Sequence, residues 1–222
     1  MAEYKVVEIF SSINGEGTKA GRLAVFVRLQ GCNLNCSYCD TTWANEAGTA
    51  YTVMTEHEIY NRVKETGIKN VTITGGEPLY RKDMDILLET ISADKELFVE
   101  IETNGSVDLT PFADINDNIS FTMDYKLPVS GMEQAMCHSN FSLLKNKDTV
   151  KFVAGSREDL DTTLDIIRKY NLQGRVNLYI SPVFGKIEPK DIVEYMLANN
   201  MNDVNLQLQL HKFIWDPEAR GV

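Results

Sequence analysis

The stretch FVRLQGCNLNCSYCDT, residues 26–41 of a 222-residue chain, decides the fold. Its start belongs to an apolar, partly β-branched run from Ala24 to Gln30 that reads as a largely buried strand, and three cysteines follow at the carboxyl end of that strand. The spacing CxxxCxxC is short enough for one loop to wrap Cys32, Cys36 and Cys39 around a single metal centre. A structural zinc takes four ligands, usually from two separate knuckles, and only three thiols are supplied here. Cys137 stands alone, and His57, His138 and His211 are scattered. A [4Fe-4S] cubane held by three cysteines leaves one iron free to bind something else, the counterpart of an open catalytic metal position. Ligand count favours the cluster, with zinc or unligated cysteines as the alternatives.

Outward from this loop, strands and helices alternate. Tyr4 to Phe10 is extended. Thr55 and Glu58 form a capping-box pattern ahead of a helix with Ile59 and Val63 on one face. Val71 to Thr74 reads as a strand ended by Gly75-Gly76, and Met84, Leu87, Leu88 and Ile91 have the spacing of a helical apolar stripe. A strand over Leu97 to Glu102 stops at Thr103-Asn104-Gly105. Further strands are expected over Ile119 to Tyr125 and Thr149 to Val153, with a weakly patterned helix or loop around Met132 to Leu144 between them. Ser156 and Asp159 open a helix that turns Leu160, Leu164 and Ile167 inward; Val176 to Ser181 is a strand, Pro189 opens a helix, and Val204 to Leu210 closes the series as a strand. Such alternation implies right-handed βαβ units and a mostly parallel sheet. With about seven core strands, a single domain over residues 1–222 forms a full or partial (β/α) barrel. Parallel sheets bind ligands beyond the carboxyl ends of their strands, where GCNLNCSYCDT, GGEP, ETNG, DYK and SPVF all fall.

Bulk composition narrows the function. Hydrophobic residues at 43% and charged residues at 24% are ordinary globular values. A formal net charge of −10 opposes adhesion to nucleic acid or anionic lipid, which favours a small-molecule substrate. The opening MAEYKVVEIF lacks a basic start and long apolar core, and no run approaches membrane-spanning length, so a soluble cytoplasmic protein is expected. Three of its four cysteines lie within eight residues, and in a reducing compartment that points to metal or redox chemistry rather than disulfides.

The cysteine loop after one strand and Gly75-Gly76-Glu77-Pro78 after the next resemble the radical S-adenosylmethionine superfamily. The resemblance implies that the open iron chelates the cofactor's amino and carboxylate groups, and that the reduced cluster breaks a carbon–sulfur bond to give a 5′-deoxyadenosyl radical. Glu77 is suited to accept hydrogen bonds from an ammonium group, and Tyr38 is a candidate adenine contact.

A closer match runs through EIFSSINGEG, FVRLQGCNLNCSYCDT, TGGEP, ETNG, DYK and QLHKFIW, and it is similar to the 7-carboxy-7-deazaguanine synthase family. That resemblance implies conversion of 6-carboxy-5,6,7,8-tetrahydropterin to 7-carboxy-7-deazaguanine with release of ammonia, on the way to queuosine and other deazapurines, with Mg2+ assisting. It also implies a homodimer and a reducing partner such as flavodoxin or ferredoxin. It assigns substrate contacts to Ile13, Asn14, Gly15, Arg28, Thr74 and Pro217, Arg28 offering its fork of donors to a carboxylate. Asn14 stands where glutamine is commoner, one methylene longer. Cofactor contacts fall on Tyr38, Cys39, Asp40, Gly76, Glu77, Glu102, Asn104, Asp124, Tyr125, Lys126, Ser181, Pro182, Val183 and Phe184, and Mg2+ on Thr41. Asp124-Tyr125 and Ser181 to Phe184 depart from residue types found in relatives. A glycyl-radical activase shares the cysteine spacing and short length, and a zinc-stabilised binding module is a further alternative.

Overall fold

The computed structural model describes residues 2–216 and 219–222. Its sheet has nine strands in the order β3-β1-β2-β4-β5-β6-β7-β8-β9. The strands are β1 (Glu3–Ile13), β2 (Leu23–Leu29), β3 (Thr52–Thr55), β4 (Asn70–Gly75), β5 (Phe98–Thr103), β6 (Ile119–Tyr125), β7 (Thr149–Ala154), β8 (Asn177–Pro182) and β9 (Val204–Leu206). From β2 to β9 every pairing is parallel, so seven strands make the expected core. The expected extended opening is longer than the sequence suggested. β1 pairs antiparallel with β2 on one side and with the short edge strand β3 on the other.

The helices are α1 (Thr42–Asn45), α2 (Glu56–Glu65), α3 (Met84–Ser92), α4 (Arg157–Lys169), α5 (Pro189–Ala198) and α6 (His211–Ile214). α2 begins with the expected reciprocal capping box: Thr55 Oγ1 accepts from Glu58 N at 3.3 Å, and Glu58 Oε2 accepts from Thr55 N at 2.7 Å. α4 is capped by Ser156, whose hydroxyl accepts from Asp159 N at 3.2 Å. The buried face of each longer helix is the one its apolar spacing marked: Ile59 and Val63 on α2, Met84, Leu87, Leu88 and Ile91 on α3, Leu160, Leu164 and Ile167 on α4.

Two crossovers carry no α-helix. Between β5 and β6, Gly105, Pro111 and a series of Asp and Asn residues suit turns, and the fully buried Asn140 takes the place of a backbone partner. Its Oδ1 accepts from Leu109 N at 3.0 Å, and its Nδ2 donates to Gly105 O at 3.2 Å and Val107 O at 2.8 Å. Between β6 and β7, the weakly patterned stretch resolves into short 3-10 turns. The last expected strand also ends early: β9 stops at Leu206, because Gln207 turns its side chain to Gly17, accepting from Gly17 N at 2.7 Å.

The sheet's two faces differ. Val71, Ile73, Val99, Ile101, Phe121, Met123, Val150, Phe152, Leu178 and Ile180 are buried in the core beneath the helices. Their alternates Thr72, Thr74, Glu100, Glu102, Thr122, Asp124, Lys151 and Ser181 line the other face. Glu16, just beyond β1, bonds to Lys151 on β7 and Ser181 on β8, on the opposite flank of the sheet. Only a sheet rolled into a partial barrel brings these groups together. The seam left open between β9 and the β1 side is closed by residues 13–17 meeting residues 207–212, with Leu210 N donating to Gly15 O at 3.2 Å.

Candidate active site

The polar face is layered. At the lower level, Glu100 accepts from Thr122 Oγ1 at 2.6 Å and from Asn14 Nδ2 at 3.0 Å, while Thr72 Oγ1 donates to Asn14 Oδ1 at 3.0 Å. Asn14, expected to present its amide to a ligand, is buried and bonded to this floor, where it anchors the 13–17 segment. Its shorter side chain fits the short span to Glu100 and Thr72.

At the upper level, nearer the carboxyl ends, charged groups gather. Lys151 Nζ lies 2.8 Å from Glu16 Oε2, both side chains being 14% exposed. Glu16 Oε1 accepts from Ser181 Oγ at 3.1 Å, and Gln209 Nε2 reaches Glu16 Oε2 at 3.5 Å. Burial pushes Glu16 upward, but the Lys151 charge and these hydrogen bonds outweigh it and hold the carboxyl below its usual range. Burial opposes the Lys151 charge too, yet Glu16, Asp124 and Glu102 keep it protonated. Glu102 accepts from Thr74 Oγ1 at 2.7 Å, and burial raises it despite Lys151 and that bond. Arg28 sits beside Thr74 in the parallel register and beside Glu8 in the antiparallel one. Its Nε bonds Glu8 Oε1 at 2.7 Å, an ion pair that uses only one side of the fork.

The cysteine loop is fastened at both ends. At its root, Glu77 N donates to Gly31 O at 3.1 Å. A Cβ at Gly76 would collide with the Gly31 carbonyl and Asn45 Oδ1, and Gly75, at φ +145°, would strike Leu29 O. The glycines therefore permit close approach of the strand end to the loop itself. Asn104 Nδ2 donates to Asn33 Oδ1 at 3.1 Å and lies 3.7 Å from Cys32 Sγ. On the far side, Ser37 N bonds Ser130 O at 3.1 Å and Ser37 Oγ bonds Val129 O at 2.6 Å, while Val129 N donates to the buried Asp159 at 3.0 Å.

All three loop cysteines are free and partly exposed. Burial pushes the Cys36 and Cys39 thiols up, with Lys126 drawing Cys36 back and a Thr41 backbone contact doing the same for Cys39. Around Cys36, Lys126 pairs with Asp124 Oδ2 at 2.7 Å and lies 5.8 Å from the Tyr38 ring. Tyr38 Oη and Asp124 Oδ1 are buried without a hydrogen-bond partner. Orphaned polar atoms beside three free thiols are what a bound cluster and a polar ligand would complete. Thr41 Oγ1 donates to Asp40 Oδ1 at 2.9 Å, which puts two hard oxygen donors side by side at the head of α1.

The other residues expected to contact ligands take these places. Glu77 is wholly buried, and its oxygens accept from Leu79 N at 3.0 Å, Thr103 Oγ1 at 2.9 Å and Asn104 N at 2.6 Å. These bonds tie it to Asn104 at the end of β5. The Tyr125 side chain points to the helix side, 5.9 Å from Phe141 and 5.8 Å from Phe152, because strand alternation turns it opposite to Asp124. Ser181 is buried on Glu16, Val183 N bonds Ala154 O at 2.7 Å, and the Phe184 ring is 65% exposed under Lys212. Gly15 has its carbonyl on Leu210 N and His211 beside it, and Ile13 ends β1. Pro217 lies outside the described residues. Lys151, Glu100, Glu8 and Trp43 escaped the sequence reading; the period-two alternation of VEIET and TVKFV was the signal for the first two.

Glu77 yields a pH test. Burial raises it from 4.5 to about 7 against the pull of its three hydrogen bonds. The folded chain thus keeps a proton that the unfolded chain has lost, and stability drains as pH rises across that window, by about 3 kcal/mol. Urea midpoints of the wild-type chain fall between about pH 5 and pH 7.5, and Glu77→Gln flattens that slope.

The family model described as Radical SAM superfamily matches residues 26–125. The chain is 58% identical to the 7-carboxy-7-deazaguanine synthase of Clostridium acetobutylicum, over 99% of each chain. It is 38% identical to that of Chlorobaculum tepidum, over 100% of this chain and 98% of the relative. The crystal structure of QueE from Escherichia coli shares the fold, with a TM-score of 0.75, 22% identity and coverage of 93% of this chain and 94% of that one. With its cysteine loop, GGEP turn and both terminal segments inside a full-length match, the chain belongs to the 7-carboxy-7-deazaguanine synthase family of the Radical SAM superfamily.

Proposed function

We propose that this chain converts 6-carboxy-5,6,7,8-tetrahydropterin to 7-carboxy-7-deazaguanine with release of ammonia, using a [4Fe-4S] cluster, S-adenosylmethionine and Mg2+. The observation that carries the reading is the 58% identity over 99% of both chains, which includes the two terminal segments that meet over the polar face. Cys32, Cys36 and Cys39 would hold the cluster. When bound, cluster and cofactor supply an electron and a carbon–sulfur cleavage, and with them a radical able to take a hydrogen atom from substrate. The chain's own side chains bind, orient and exclude water.

Lys126 lies next to Cys36, where its held charge suits the cofactor carboxylate, and the unpartnered Asp124 and Tyr38 atoms offer an acceptor and a donor beside it. Asn104 and Glu102 stand at the end of β5, the place for hydroxyl recognition. Arg28 and Thr74 stand side by side in the sheet, and in this reading the Arg28 terminal nitrogens, outside its ion pair with Glu8, take the substrate carboxylate. Mg2+ at Thr41, beside Asp40, takes its remaining oxygens from substrate and water. No described helix is long and apolar enough to cross a membrane. A reducing partner such as flavodoxin or ferredoxin and a homodimeric state belong to the same reading.

The deciding experiment is anaerobic incubation of the reconstituted chain with reductant, S-adenosylmethionine, Mg2+ and the carboxytetrahydropterin. The ring-contracted product and an equivalent of ammonia are expected. Cofactor cleavage without either would reject the assignment in favour of another radical enzyme.

A further inference from the structure

The C-terminal tail returns to Arg28. The Arg220 guanidinium lies 4.4 Å from the centre of the Trp43 ring, and the Arg28 guanidinium lies 5.8 Å from the same ring. The next residue, Gly221, borders Glu8: a Cβ built there would stand 3.9 Å from Glu8 Oε2, the other oxygen of the carboxylate that pairs with Arg28. Tail residues 220–221 thus rest on the trio Glu8, Arg28 and Trp43. Two guanidinium groups converge on one indole in a chain of net charge −10, an arrangement that repels cations and suits an anionic ligand. Among the described residues no acceptor takes the Arg220 N–H donors beside this indole contact, so its fork is available for a carboxylate.

We propose that Arg220 is a second guanidinium of the substrate-carboxylate subsite, carried in by the C-terminal tail and held against Trp43 beside Arg28. This rests on the reading of Arg28 as a carboxylate-binding residue. The subsite then discriminates at two points, one on the rigid strand β2 and one on the tail, and the tail's position becomes sensitive to whether the ligand bears a carboxylate.

The test measures ligand binding by equilibrium dialysis, using the full-length holoenzyme with oxidised cluster and S-adenosylmethionine but no reductant, so that nothing turns over. Two ligands are compared, the 6-carboxytetrahydropterin and the same ring bearing a methyl group in place of the carboxylate. Arg220→Gln should weaken binding of the carboxylated ligand about tenfold and leave the methyl ligand unchanged. Arg220→Lys should recover part of the loss, because the charge returns without the fork. Equal weakening of both ligands would overturn the proposal, since a tail that only packs affects them alike. So would unchanged binding in Arg220→Gln while Arg28→Gln loses its preference for the carboxylate; the Arg28 reading would then stand without Arg220. If Arg28→Gln also kept that preference, the underlying carboxylate reading would fall and Arg220 with it.

Discussion

Replacing Cys32, Cys36 or Cys39 by alanine, one at a time, is expected to abolish cofactor cleavage while leaving the chain folded. The three thiols lie on a loop and are partly exposed, outside the buried apolar cluster that holds strands and helices together. The loop's own fastenings, Ser37 to Val129 and Ser130, Asn33 to Asn104, and Glu77 to Gly31, involve other residues. Loss of one sulfur therefore removes little packing, and far-ultraviolet dichroism and the urea midpoint should barely move. A cubane deprived of one of its three protein thiolates has two open corners instead of one. Iron, acid-labile sulfide and visible absorbance after anaerobic reconstitution should drop sharply, and 5′-deoxyadenosine formation should fall to background. Cys137→Ala is the matched control. That thiol bonds Ser139 Oγ at 3.2 Å on a separate 3-10 turn, so cluster content and cleavage should be unchanged. A full iron and sulfide complement in any of the three loop variants would remove the basis for the site.

What the sequence disclosed and what it hid differ for a physical reason. Helix faces and core strands were legible because Ile59 with Val63, or Leu160 with Leu164 and Ile167, repeat at the helical period, and apolar runs bounded by glycine mark strands. The cysteine loop and GGEP turn were legible because their neighbours in sequence are also their neighbours in space. Glu16 and Lys151 are 135 residues apart, and only curvature of the sheet makes them partners, so no local pattern reports the pair. The surroundings of Glu77 were hidden for a related reason. A carboxylate in a strand-end turn looks available to a ligand, but the close approach of β5 brings Thr103 and Asn104 onto both its oxygens. The helix-free crossovers were hidden because Asn140, far along the chain, satisfies the backbone of residues 105–109.

Lys151→Met is expected to destabilise the chain by about 3–5 kcal/mol, the usual consequence of leaving one member of a buried ion pair without its partner. Glu16 would remain beside Glu102 with no ammonium group of its own, since Lys126 stays paired with Asp124. The contribution of Glu16 should also change sign with pH. In the wild-type chain the carboxyl of Glu16 is held low, so its contribution is present above the unfolded value of 4.5 and is lost as pH falls. Without Lys151, burial, the largest influence on Glu16, is opposed only by the Ser181 and Gln209 hydrogen bonds and raises it, so its contribution is lost as pH rises instead. The double variant Lys151→Met, Glu16→Gln removes both charges, and the glutamine carbonyl can still accept from Ser181 Oγ. It should recover most of the loss, since exchanging a buried ion pair for neutral groups is often close to neutral in stability. Urea midpoints of the two single variants and the double, taken across about pH 5 to 8, provide the cycle. If the double variant were as unstable as the sum of the singles, the pair would be uncoupled. The 13–17 segment would then owe its place to Asn14 and the tail instead. Recovery would mean that the ion pair adds little net stability and serves to select one position for that segment against the far wall of the barrel.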